Sequence, residues 1–171
     1  MRKISSMFVM LAIIGVAGCS NGHEAIQSEK NTQYKYESVA DYNEFIIRPN
    51  IKTGKLMIQK KDGFMDIQMQ IILSKKLETM LKSTEHPYFF SFGDEEGEEL
   101  VSSMLVEKPT PIYGDLQKLK IKNHTYQLQQ KLVYKKNITP QNLKQLESPK
   151  NYELQVLNQY KQVVAVIMGI G

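Results

Sequence analysis

Beyond residue 32 the chain alternates apolar and polar side chains with a period of two, most cleanly over residues 55–73. Such a period marks a strand with one buried face, because successive side chains point to opposite sides of a sheet. Asp62-Gly63 interrupts the run, and Asp-Gly predicts a two-residue hairpin turn in which both positions take φ > 0. Pairing Lys61 with Phe64 puts Ile58 opposite Ile67 and Leu56 opposite Met69, with Met65 and Ile71 on the same side. Lys55, Gln59, Lys61, Asp66, Gln68 and Gln70 fall on the other side. One apolar face and one wet face is what a sheet packed on a core requires.

The same reasoning applied around Asn123-His124 predicts a second hairpin, with Ile121 opposite Tyr126 and Leu119 opposite Leu128. Leu132 and Tyr134 continue its apolar face. Its wet face collects Lys118, Lys120, Lys122, Gln127, Gln129, Lys131 and Lys135.

Further strands are predicted over residues 42–48, 87–92, 152–157 and 162–168. The last is apolar on both faces, which places it centrally in a sheet. Residues 99–107 fit a strand or a helix equally. Residues 93–99, "GDEEGEE", read as a charged turn. Two short helices are expected, over residues 73–82 and over 140–147, the second capped by Thr139 and ended by Pro149. There is no internal repeat and no internal linker. The fold class that follows is mainly β: an antiparallel β-sandwich or barrel-like sheet with one or two short helices, with α+β as the alternative.

Upstream of this domain the pattern changes. Arg2 and Lys3 precede an uncharged apolar run over residues 7–17, and Val16-Ala17-Gly18 lead into Cys19, the chain's one cysteine. A basic start, an apolar stretch and small residues at its end are the parts of a secretory signal peptide, here residues 1–18. Eleven apolar residues as a helix reach only about 17 Å, short of a bilayer. Val-Ala-Gly-Cys resembles the lipobox of bacterial lipoproteins over residues 1–20. The resemblance implies that the Cys19 thiol is alkylated by a diacylglycerol and becomes the new N-terminus. Acyl chains, at about 0.8 kcal/mol per buried CH₂, would then hold the protein to a membrane. Residues 20–32 contain a single large apolar side chain, Ile26, and read as a flexible tether of roughly 20 Å. The expected organisation is therefore a signal peptide (1–18), a lipidated N-terminus and tether (19–32) and one β-rich domain (33–171).

Charge refines this only slightly. The whole chain carries 22 basic and 18 acidic side chains, but two of the basic ones are Arg2 and Lys3 of the signal, so the excess is weak evidence for a polyanionic partner. The distribution is uneven: residues 20–108 carry a net of −4 and residues 109–171 a net of +6.

The sequence holds no HExxH, no paired CxxC, no Gly-x-Ser-x-Gly and no Gly-rich phosphate loop. His23, His86 and His124 stand in the tether, before a proline and in a turn, and read as solvated. Asp94, Glu95, Glu96, Glu98 and Glu99 lack the spacing of an EF-hand loop. No catalytic residue, metal ligand or cofactor is expected. Asn123-His124-Thr125 and Asn137-Ile138-Thr139 match a glycosylation pattern that means little in a bacterial chain.

The one surviving constellation is Lys118, Lys120, Lys122, Lys131 and Lys135 on one face of the second hairpin. Like charges side by side repel, so either an anionic surface or acidic protein offsets them, or they guard a sheet edge against aggregation. The expected function is a non-enzymatic binding, adaptor or inhibitor module, with no nucleic-acid partner. The lipid on Cys19 would anchor it in the bacterial envelope, on the outer membrane facing the periplasm in a Gram-negative cell. The alternative is an envelope hydrolase whose site is assembled from dispersed carboxylates.

Overall fold

The Asp62-Gly63 hairpin forms in the predicted register. The structure is a computed structural model that describes residues 35–94 and 99–170; the signal segment, Cys19 and the tether lie outside the described residues, as does most of the acidic turn. Strands β1 (Ile51–Thr53), β2 (Met57–Lys61) and β3 (Phe64–Leu73) open the domain. Lys61 faces Phe64 and Ile58 faces Ile67 across the hairpin. Gly63 takes φ +77°, but Asp62 does not join it in the left-handed region, so the turn is not the expected doubly left-handed one.

Helix α1 (Lys75–Ser83) follows, then β4 (Phe89–Asp94), α2 (Leu100–Met104), β5 (Ile112–Tyr113), α3 (Leu116–Leu119), β6 (Lys120–Lys122) and β7 (Thr125–Val133). The chain ends with α4 (Pro140–Leu146), β8 (Tyr152–Leu157) and β9 (Val163–Ile167). The strands form two antiparallel sheets, one ordered β1-β3-β7-β6 with β2 also on β3, the other β5-β4-β8-β9. The protein is thus mainly β and sandwich-like. Met65, Ile67, Met69 and Ile71 of β3 and Tyr126, Leu128 and Leu132 of β7 share one core with Phe90, Phe92, Tyr152, Leu154, Val156 and Ile167 of the second sheet. Leu77, Met80 and Leu81 of α1 join it. No helix among the described residues is long and apolar enough to cross a membrane.

Local chemistry accounts for the helices. Ser74 caps α1 by accepting from Leu77 N, and Thr139 caps α4 by accepting from Asn142 N, with Pro140 at the first helical position. Within residues 99–107, open between strand and helix, Leu100–Met104 form α2 and Leu105 makes an isolated antiparallel bridge to Tyr134. The helix's own first residues supply no side-chain cap; instead the Asp94 carboxylate reaches from β4 to Val101 N and to Ser102 N (2.9 Å).

Three expectations fail. Residues 42–48 are not a strand: Val39–Phe45 form a 3₁₀ segment. Ser38 and Asp41 make a capping box there, and Val39, Tyr42 and Ile46 are buried at helical rather than alternating spacing. The second hairpin turns at Asn123-His124 with Lys122 opposite Thr125, as expected, but loses the register beyond that pair. Asp115 accepts from Gln117 N and Lys118 N and starts α3, so Leu119 lies on a helix and faces no strand. A bulge in the short β6 then puts Lys120 opposite Tyr126 and Lys122 opposite Thr125, leaving Ile121 50% exposed. Finally, residues 162–168 give an end strand, β9, not a central one. It is apolar on both faces because Ile167 enters the core while Val163 and Val166 form an exposed outer surface.

A polar cluster pins α1 to the β6–β7 turn. His124 takes φ +55° in that turn, and its Nδ1 meets the Glu78 carboxylate, which also accepts from Lys82. Burial opposes the charge on Glu78, but the hydrogen bonds with Lys82 and His124, together with the Lys82 charge, outweigh it and hold the carboxyl down at about 2. Burial first, and the Glu78 carboxylate second, push the Tyr126 phenol well up.

Two outcomes are expected. Ile67→Asp places an unpaired charge in the core and lowers stability by about 3–5 kcal/mol in chemical denaturation, whereas exposed Gln59→Asp changes it by under about 0.5 kcal/mol; the reverse order would mean a slipped register. A depressed carboxyl adds stability that is complete above its unfolded value and lost as pH falls towards the folded one. Denaturation midpoints should therefore fall between pH 4.5 and about 2 in the wild type, and fall less steeply in Glu78→Gln.

Candidate functional site

The five lysines singled out by the sequence do not gather on one face. Lys118 lies on α3, 3.3 Å from Asp115. Lys120 and Lys122 stand on either side of the β6 bulge, beside residues that point to opposite faces of β7. Lys131 pairs across the sheet with Asp66 and covers the Phe64 ring at 4.0 Å. Lys135 donates to Ser103 O at 2.6 Å. Lys122 and Lys131 share the outer face but lie about 20 Å apart along β7.

A cleft on the other sheet is better formed, and it begins with a strand that parts from its neighbour. β5 pairs with β4 only at Phe89–Tyr113 and Phe90–Ile112. Continued in the same register, Phe92 would face Thr110. Instead the Gln130 side chain enters from β7 of the opposite sheet. Its Oε1 accepts from Phe92 N (2.8 Å), and its Nε2 donates to Thr110 O (3.0 Å) and Ser91 Oγ (3.1 Å). The carboxamide occupies the place of a backbone pair and holds residues 108–111 away from β4. It is only 3% exposed, yet its acceptor and both donors are used.

The gap widens into a cleft of about 760 Å³, within the usual range for a ligand site. Lys108, Pro109, Thr110 and Pro111 make one wall; Ser102 of α2, held in place by Asp94, contributes to the lining. The floor is the outward face of β4 and β8, with Ser91, Gly93, Glu153, Gln155 and Leu157, and Val163 and Lys161 close the far side.

Glu153 sits in this floor at 4% exposure. Its Oε1 accepts from Gln155 Nε2 at 2.9 Å, while Oε2 is buried and meets no hydrogen-bond partner among the described residues. Gly93, directly across the ladder from Glu153, makes room for this arrangement: a Cβ there would come within 2.3 Å of Gln155 Nε2. The missing side chain lets Gln155 lie across the sheet. Asp94, the cleft's other carboxylate, is committed to the α2 amides. Among the described residues no three His, Cys, Asp or Glu side chains come together in a way that could hold a metal ion.

The alternation of residues 152–157 signals that Glu153 faces outward, but not that anything covers it. Nor did isolated His124 reveal its contact with Glu78, which is made across the fold.

If Gln130 is the wedge, Gln130→Ala should leave Phe92 N–H and Thr110 C=O without their partner. Hydrogen exchange at the Phe92 amide should accelerate, and stability should fall by about 1–3 kcal/mol. Unchanged Phe92 exchange would show that the strands part for another reason.

Compared with known protein families, with curated proteins and with solved structures, the chain matches none.

Proposed function

We propose that this protein is a lipid-anchored, non-enzymatic binding module of the bacterial envelope and that it takes its partner in the cleft between β4, β8 and residues 108–111. The anchor is Cys19, on the strength of the Val-Ala-Gly-Cys pattern, and the tether lets the domain stand off the membrane. The observation that carries the reading is Glu153: a nearly buried carboxylate in the floor of the cleft, one of whose oxygens has no partner among the described residues. Buried polar groups are paired in the great majority of cases, and an unpaired one that lines a cleft can be completed by a group from outside the chain, whether ligand, ion or water. Exposed Tyr113, Val163 and Val166 extend the apolar surface beside the cleft. The hydrolase alternative has less support, because Asp94, the second carboxylate it would need, already serves as the cap of α2.

Two experiments test this. Cys19→Ala should yield a protein that no longer partitions into detergent; equal partitioning of mutant and wild type would end the anchor. A photo-crosslinking residue at Val163 should capture an envelope partner in living cells, whereas one at Lys122 should not. The triple change of Lys118, Lys120 and Lys122 to Gln should leave that capture intact at low and high salt.

A further inference from the structure

Within that reading, we infer that the cleft is built for a short peptide with a basic side chain and a free carboxylate, its cationic group donating to Glu153 and its carboxylate meeting Lys108 and Lys161. The inference rests on the cleft being the binding surface, and it follows from what the lining offers.

The floor presents a hydrogen-bond acceptor with no donor among the described residues. Glu153 Oε2 is buried, and the one donor that the carboxylate meets among the described residues, Gln155 Nε2, is on Oε1. A ligand group that satisfies Oε2 must bring an N–H or O–H, and an ammonium or guanidinium gives the stronger, charge-assisted bond. An anion such as phosphate would meet Glu153 as a like charge. A multivalent cation would want several oxygen ligands, and Asp94, the second carboxylate lining the cleft, has its oxygens on Val101 N and Ser102 N. A sugar would want an aromatic face to stack on within the cleft, but Phe92, the one aromatic residue of the lining, is turned into the core at 1% exposure, and exposed Tyr113 stands beside the lining, not in it.

The rim carries the complementary sign. Lys108 and Lys161 are exposed and both line the cleft; neither is in an ion pair among the described residues. Lys161 is held by its turn, where it takes φ +60° and its N–H donates to Asn158 O at 2.9 Å. An acid in the floor and two lysines in the lining, one on each side and Lys161 with its ammonium 5.8 Å from the Phe89 ring, suit a ligand that carries both charges. Between them Pro109, Pro111, Leu157 and Val163 provide apolar contact for aliphatic stems, and Ser91, Ser102 and Thr110 provide polar atoms for peptide groups.

Gln155 is the movable part. Its amide lies over Gly93 and on Glu153, and it is the far end of a flexible side chain. Swinging off the carboxylate, it uncovers the site and its amide becomes free for the ligand's backbone. Gly93→Ala would force that movement in the absence of ligand.

The probe is N-acetyl-Gly-Lys-Gly with a free carboxylate, titrated calorimetrically into the full mature chain in detergent micelles. Its controls are the norleucine analogue and the C-terminal amide. Saturable binding of the lysine peptide is expected, with the norleucine analogue and the amide each weaker by about ten- to a hundredfold. Glu153→Gln should reduce the lysine peptide to the level of the norleucine one and leave the latter unchanged. Lys108→Gln with Lys161→Gln should weaken the carboxylate form and not the amide. Should Glu153→Gln unfold, shifts of the Gly93 backbone and Gln155 side-chain amide signals on adding peptide to the wild type provide the same reading. Equal binding of lysine and norleucine peptides, or full affinity in folded Glu153→Gln, overturns the ligand class. If the crosslinker at Val163 still captures a partner, the cleft stands as the binding surface and only its ligand was misassigned; capture solely from Lys122 overturns both.

Discussion

A slip of one residue between β3 and β7 would turn Met65, Ile67, Met69 and Ile71 out to water and bring Asp66, Gln68 and Gln70 into the core. Burying an aliphatic side chain contributes about 1.5–3 kcal/mol, so no such slip is tolerated over a ladder of nine pairs running from Phe64–Val133 to Ile72–Thr125. The ladder fixes more than its own side chains. It sets Gln130 in line with the inward residues Leu128 and Leu132, at the level of Phe92 and Thr110. It also carries the β6–β7 turn to α1, where His124 meets Glu78. The cleft on the second sheet is thus a consequence of the register of the first.

Two buried polar side chains in the second sheet's surroundings behave in opposite ways, and the difference separates architecture from recognition. Gln130 is a carboxamide, costly to bury in an apolar core, and it is stable there because each of its hydrogen-bonding atoms has a protein partner. Glu153 is as deeply placed but only half satisfied. A fully paired network rigidifies the strands around it. An unpaired oxygen does the reverse, since it leaves a favourable interaction to be made by whatever enters. The rigid group shapes the cleft and the unsatisfied one gives it chemical preference.

How much of this was legible depended on the range of the interactions. The first hairpin could be read because both of its strands alternate and the turn between them is two residues long. The second could be read only at its turn and its Lys122–Thr125 pair, although its residues alternate equally well on paper. Asp115 starts a helix that consumes Leu116 to Leu119, and a bulge shifts what remains, so the lysines at 118, 120 and 122 share a pattern but no surface. The apolar run at 162–168 signalled burial on both sides, whereas one of its faces became the outer surface beside the cleft. Glu153 was visible as an outward residue of β8, but its wall comes from residues 108–111 and its wedge from residue 130. No local period records contacts of that separation.

The scattering of the lysines changes what the positive charge of residues 109–171 means. Gathered on one face, they would have made a field able to attract any polyanion. Spread out, and with Lys118, Lys131 and Lys135 engaged by Asp115, the Phe64 ring and Ser103 O, they act one at a time within a Debye length of about 8 Å. Lys161 is the one of this group that lines the cleft, and it stands there with Lys108 above one of the three acids of the same segment, Glu153. Positive charge at the rim disfavours a bare cation on its way to that carboxylate. It favours a cation that arrives with its own anion attached. Selectivity in such a site therefore comes from the pairing of charges along the ligand, and a polyamine would be turned away at the same rim that admits a zwitterion.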